Sequence, residues 1–266
     1  MGEGLESVSY QEQENRQMTI TAGSEKPSPI SRAAVIALIL AMLTIVFVVM
    51  SSVGFRMEWW GYGISVKILR VAAFVGVTAT MLSVIGIYRA WPGRNRRGLV
   101  ISILALLIVG PTLVLPLYWG YAKSKLPPIQ DISTDLENPP EFWDAPTSRL
   151  YPGPKVARQQ RTAYPDIQPV IFSSPMEQVF PQALTLVEKR GWKLVTAEPE
   201  EGRIEATVTT FWYGFKDDVV IRLTGVDTGT KVDMRSTSRF GSGGDGGTNA
   251  NRIRSFLAAL QKQTVQ

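Results

Sequence analysis

Three long apolar stretches lie between residues 33 and 119, separated by two short loops. The first runs from Ala33 to about Met50 without a charge. The second runs from Ile68 to Tyr88 with Arg70 near its start, and the third from Leu99 to Trp119. Each is close to the ~20 residues a helix needs to cross a bilayer core. A helix buried inside a soluble core is the competing reading, but three such segments in so short a span disfavour it. A cleaved leader is disfavoured too, because the first 32 residues are polar and the first apolar run is too long. The pattern predicts transmembrane helices at about 33–54, 68–88 and 99–119 within a membrane unit spanning 33–122. A polar tail (1–32) precedes it, and a polar region follows.

Lys and Arg counts orient the spans. The loop from Arg89 to Gly98 carries Arg89, Arg94, Arg96 and Arg97, which the positive-inside rule places in the cytoplasm. The N-terminus then shares that side. The loop from Ser51 to Lys67 and everything after Trp119 lie outside. Arg56, Lys67, Lys123 and Lys125 run against this assignment, whereas Trp59, Trp60 and Tyr62 suit an interfacial aromatic belt. No acidic residue or histidine interrupts the spans, which argues against a pump or ion transporter. Ala72, Gly76 and Thr80 form a small-residue row for close helix packing, within the chain or between chains. Pro111 and Pro116 are expected to bend the third helix.

A net charge of +5 and a pI near 9.4 suggest nucleic-acid binding until they are partitioned. Residues 1–32 carry 3 basic and 5 acidic groups, residues 33–122 carry 7 and 1, and residues 123–266 carry 18 and 17. The excess sits in the membrane region, so the polar domain has no basic balance to drive phosphate binding, and no nucleic-acid partner is expected. The Glu-, Gln- and Ser-rich tail has a disorder-prone composition.

The segment 123–169 is proline-rich and reads as an extended strap. From 170 to 266 the pattern is α+β, in the order β-α-β-β-β-β-α, with an antiparallel sheet carrying helices on one face. Val170–Phe172 is a short strand. Ser174-Pro175-Met176-Glu177 reads as a capping box opening a helix, with Pro181 predicting a kink or later start. Strands follow at 192–197, 203–211, 218–224 and 231–239, the last three with clear apolar–polar alternation. A last helix over about 249–261 buries Ile253, Phe256, Leu257 and Leu260.

The chain contains no histidine and no cysteine. Ser-His-Asp and Cys-His nucleophile systems are therefore excluded, along with nearly all zinc, copper, haem and iron–sulfur ligation. No cofactor and no metal are expected. Carboxylate chemistry, a hard cation or plain binding remain. Asp217-Asp218 is one candidate, as a paired carboxylate site or, preferred, a solvated hairpin turn. Asp131 and Asp135 in the strap are read as turn caps or cation ligands. A polar sheet face carrying Glu205, Arg222, Asp233, Arg235 and Arg239 is another candidate. It is either an anion-binding surface or, preferred, a salt-bridge lattice on an open face. The glycine-rich loop 241–247 before the last helix could cradle an anion or act as a connector. Phe211, Trp212, Tyr213 and Phe215 are core or an exposed patch for a partner or the bilayer surface.

Four segments in order resemble a bacterial family known as domain-of-unknown-function family fourteen-ninety-nine. They are Leu126–Asp135 with Pro139–Phe142, Phe211–Asp218, Val232–Arg239 and Asn249–Arg254. The likeness covers about residues 126–262, and the glycine-loaded loop at 241–247 departs from it. The resemblance implies a membrane-associated envelope protein and carries no activity, cofactor or catalytic residue. The expectation is a multi-pass protein of the bacterial inner membrane whose outer domain binds an envelope protein or lipid without catalysis. The alternative is a carboxylate-dependent hydrolase or transferase using Asp217, Asp218 or Asp233 with arginines. Oligomeric state is open.

Overall fold

A computed structural model of the chain describes residues 29–92, 97–240 and 243–264. Most of the polar tail, Arg94 and Arg96 of the basic loop, and Gly241 and Ser242 of the glycine loop lie outside the described residues. The chain divides into two compact units. One comprises Val71–Leu113 and the chain up to Val46. The other comprises Phe47–Arg70 and everything from Val114 onward.

Three helices are long and apolar enough to cross a membrane: α1 (Arg32–Arg56), α2 (Tyr62–Ala90) and α3 (Leu99–Ser124). They overrun the apolar stretches at their ends, and the expected 51–67 loop shrinks to residues 57–61. In the first unit the helices meet through small residues. Ala37, Ala41, Ala79 and Ala105 are fully buried. A Cβ on Gly76 would lie 3.2–3.3 Å from Leu113, Thr44 and Val109. The small-residue row of α2 is thus used within the chain, where it lets backbones approach closely. Helix α3 runs unbroken through Pro111 and Pro116.

The second unit contains a six-stranded antiparallel sheet of β1 (Asp131–Ser133), β2 (Val170–Phe172), β3 (Lys193–Glu198), β4 (Arg203–Thr209), β5 (Lys216–Val226) and β6 (Gly229–Ser238). Its order is β1-β6-β5-β4-β3, and β2 also pairs with β6, using residues 230–232 where β1 uses 235–237. Helices α5 (Met176–Lys189) and α6 (Thr248–Thr264) cover one face, and a shorter α4 (Pro154–Ala163) precedes β2. Alternation works as expected. Ile204 and Ala206 on β4, Val219, Ile221 and Leu223 on β5, and Val232 and Met234 on β6 join Val179, Ala183, Val187, Ile253 and Phe256 in one core.

Along the chain the structure departs from sequence expectation in the strap and at the start of α5. The strap contributes strand β1 and helix α4, so the sheet begins at Asp131 and not at Val170. Helix α5 starts after Pro175, which occupies the N-cap position without a side-chain cap. Ser174 instead accepts a bond from Thr230 through its carbonyl (2.8 Å). Pro181 sits inside α5 without ending it, since a missing amide in the second turn removes only one helical bond.

Candidate functional site

Strand alternation sends Arg203, Glu205 and Thr207 of β4, Asp218, Val220 and Arg222 of β5, and Lys231, Asp233, Arg235 and Thr237 of β6 to the face opposite α5 and α6. Register aligns them: Glu205 lies across from Val220, Val220 from Arg235, and Arg222 from Asp233. An open polar face was expected, yet Glu205, Asp218, Asp233 and Arg235 are all fully buried. The cover is the strap, residues 134–151, which lies across the sheet and is held by the charged side chains beneath it. Phe142 and Ala145 pack on Val220 at its centre.

Arg235 is the principal anchor. Its guanidinium makes a two-point pair with Asp131 (Nε–Oδ1 2.9 Å, Nη2–Oδ2 2.8 Å). Its remaining N–H groups donate to the carbonyls of Pro140 (3.1 Å), Arg149 (2.8 Å) and Leu150 (3.0 Å). Phe142 and Tyr151 place their rings 4.8 and 5.6 Å from its carbon. Such a rigid donor fork suits a buried site where every N–H needs an acceptor. Burial pushes the Asp131 carboxyl above its ordinary value, opposed by the bonds and charge of Arg235. Burial also pushes the Tyr151 hydroxyl well up.

Glu205 anchors the strap from the other direction. Its carboxylate accepts the amides of Trp143 (2.7 Å), Asp144 (3.1 Å) and Ala145 (2.7 Å), and Arg203 neutralises it at 2.7 Å. Arg203 also pairs with Asp144 and Glu201. A third anchor joins Arg222 and Lys231 to Asp233 and Asp135, with Arg222 also donating to the Asn138 carbonyl (2.9 Å). Asp135 caps the turn at Glu137 and Asn138. Partial burial opposes ionisation of Asp135. The Asn138 amide and Lys231 outweigh it and hold the carboxyl below its ordinary value. Lys231 is raised in turn: its own desolvation is overcome by Asp135 and Asp233.

The Asp217-Asp218 pair does not form a site or a solvated turn. Both residues lie buried in β5, and adjacent strand residues face opposite sides. Asp217 turns to the helix face and pairs with Arg252 of α6. Asp218 turns to the strap face, bonding Arg239 (2.6 and 2.7 Å) and Thr207 (2.8 Å). A shared proton or a shared cation is therefore excluded for this pair. Among the described residues no group of three or more carboxylates could hold a metal ion. At the start of α6, Asp245 accepts the amides of Gly247 and Asn249. A carboxylate of the chain itself thus occupies the place where an anion would bind.

A cleft of about 400 Å³ opens between the strap and the sheet, lined by Pro140, Trp143, Glu201, Arg203, Val220 and Arg222. Both of its arginines are already paired with carboxylates, so it carries no anion-selective field. Arg149 stacks on Trp143 at its edge (3.1 Å to the ring centroid). Sequence reasoning picked out Arg222, Asp233 and Arg235 but missed that they hold the strap, whereas Arg239 bonds Asp218 and Thr207 within the sheet. Sequence reasoning also missed Gln160 of α4, fully buried, whose amide bonds both the N–H (3.0 Å) and the carbonyl (2.6 Å) of Ser133. Gln160 thereby closes the outer edge of β1 as a strand would. The signal available was the strap's proline-rich, ordered character.

The aromatic segment 211–215 divides. Tyr213 and Phe215 stack (5.3 Å, 11°) and join Phe55, Tyr62 and Phe240 in a half-buried cluster. Phe211 and Trp212 point outward, 87% and 55% exposed.

The family model described as Protein of unknown function (DUF1499) matches residues 131–260. These limits coincide with the sheet from β1 and the covering helices to α6. No curated protein matches the chain.

Proposed function

We propose that this chain, whose residues 131–260 belong to the DUF1499 family, is a multi-pass membrane protein that presents a non-enzymatic binding domain outside the cytoplasm. The observation that carries the reading is the strap lattice. The carboxylates that could have performed chemistry are each committed to a partner: Glu205, Asp233 and Asp131 hold the strap over the sheet, and Asp217 and Asp218 are paired with Arg252 and Arg239. Glu205 accepts four bonds, and Asp218, Asp233 and Asp131 each face a cation. A general acid or base needs a free, substrate-facing proton site, and this geometry favours rigid presentation of a surface instead. The ligand class we favour is an envelope protein or a lipid, with no nucleic acid involved.

Membrane insertion is supported by the surface of the three helices. Ile39 on α1, Phe74 on α2 and Leu117 on α3 are 59%, 76% and 74% exposed, a surface suited to hydrocarbon and costly in water. Orientation rests on the arginines of the 89–98 loop and gives a bacterial inner-membrane protein with a cytoplasmic N-terminus. Reporter fusions after Gln266 test this. Activity from a reporter that works only outside the cytoplasm is the expected result. Activity only from a cytoplasmic reporter would reverse the topology and remove envelope partners from consideration.

A further inference from the structure

The geometry points to a second contact with the bilayer. The β4–β5 hairpin, residues 210–215, is an interfacial anchor whose Phe211 and Trp212 side chains enter the phospholipid headgroup layer beside the end of α1. Three observations on this hairpin combine. First, it is bonded to that helix end: Ser52 donates to the Trp212 carbonyl, Arg56 to the Phe211 carbonyl, and the Ser51 and Tyr213 hydroxyls share a bond of 3.2 Å. Lys216 adds an ion pair with Glu58 at 3.5 Å. Second, α1 contains no charge between Arg32 and Arg56. Its 25 residues span roughly 37 Å at 1.5 Å each, enough to cross a ~30 Å core with both arginines in the headgroup layers. The hairpin backbone is held by the residue that marks that boundary.

Third, the hairpin sorts its aromatics by direction. Tyr213 and Phe215 fill the cluster around Phe55, which fixes the loop. Phe211 and Trp212 are turned away from it, and Trp59 in the α1–α2 turn is 65% exposed. The turn itself is built to hold its shape. Trp60 lies so close on Gly54 that a Cβ there would stand 1.9 Å from its ring, and its Nε1 donates to Ser65 (3.0 Å). Amphipathic Trp rings concentrate at the headgroup level, where an apolar body and a polar N–H are both satisfied. Exposed cations at Arg56 and Lys216 suit the lipid phosphates beside them. This contact rests on the membrane reading of α1 but holds whichever side the domain occupies, so its failure and a reversed topology are separate results.

The chain has no cysteine, so single-thiol variants are clean probes. Full-length Phe211→Cys, Trp212→Cys and Ile171→Cys are spin-labelled in phospholipid nanodiscs. Their collision rates with oxygen and with a water-soluble nickel chelate then report depth. Ile171, 61% exposed on β2, serves as the aqueous reference. All three positions are exposed, so folding is not at stake. A several-fold higher oxygen-to-nickel ratio at 211 and 212 than at 171 is expected. Equal ratios at all three sites overturn the anchor. Shielding of 211 and 212 from both reagents overturns it too, because it would mean that protein, not lipid, covers them.

Discussion

Replacing Arg235 with methionine tests the strap lattice at its centre. The side chain is fully buried and so is its partner Asp131, and methionine keeps most of the volume without the charge. The substitution leaves a buried carboxylate without its cation, a change worth about 3–5 kcal/mol. The carbonyls of Pro140, Arg149 and Leu150 also lose their donor. Each could cost about 1–3 kcal/mol if it stayed dry, but the strap can lift into water, so these terms do not add in full. A loss of about 4 kcal/mol is expected, which makes strap opening roughly 1,000-fold more frequent at 1.4 kcal/mol per decade. Hydrogen exchange of the full-length protein in detergent reads it directly, through the amides of Trp143, Asp144 and Ala145. Adding Asp131→Leu to Arg235→Met should recover about 1 kcal/mol or more, because removing both partners leaves no orphan charge. Exchange within about tenfold of the parent in the single variant would refute the argument. A double variant no better than the single would show that the Asp131 charge is not the source of the loss.

Glu205→Gln keeps the shape of the second anchor but removes its charge. The one amide oxygen still accepts, but the NH2 that replaces the other oxygen is itself a donor and faces two of the four groups bonded there, so about 2–3 kcal/mol of strap protection should disappear in the same exchange experiment. For Asp135 the sign follows from its lowered folded value. Its contribution is present above the ordinary carboxylate value of 3.8 and is lost as pH falls through the lower folded one. Asp135→Asn should therefore destabilise the protein at neutral pH and converge with the parent as denaturation midpoints are followed down through that window. Gly202→Ala meets both a left-handed backbone (φ 63°) and the Leu223 carbonyl at 2.2 Å from the new Cβ. It should lower the denaturation midpoint by the equivalent of about 2 kcal/mol or more.

Much of the architecture was legible because it depends on local pattern. Apolar runs marked α1 to α3, and alternation in β4, β5 and β6 assigned each residue to a face. The glycine at 191 and the apolar spacing from Met176 to Val187 marked α5, though the cap residue was missed by one position. What local pattern could not supply was the partner of the second face. Asp217 and Asp218 look like a pair in the chain and are separated by the strand itself. Asp131 and Arg235 lie 104 residues apart and are a pair in space.

The sequence by itself determined three membrane-length helices, the location of the basic excess, the exclusion of histidine and cysteine chemistry, and an α+β sheet with helices on one face. Only the tertiary structure decided that the opposite face is closed and that its charges hold a strap. The reason is physical: a buried charge is tolerated only where its desolvation is offset by well-placed partners. Those partners are strap amides, carbonyls and the Asp131 carboxylate, brought to the sheet from 60 to 104 residues away, contacts that no residue pattern along the chain encodes.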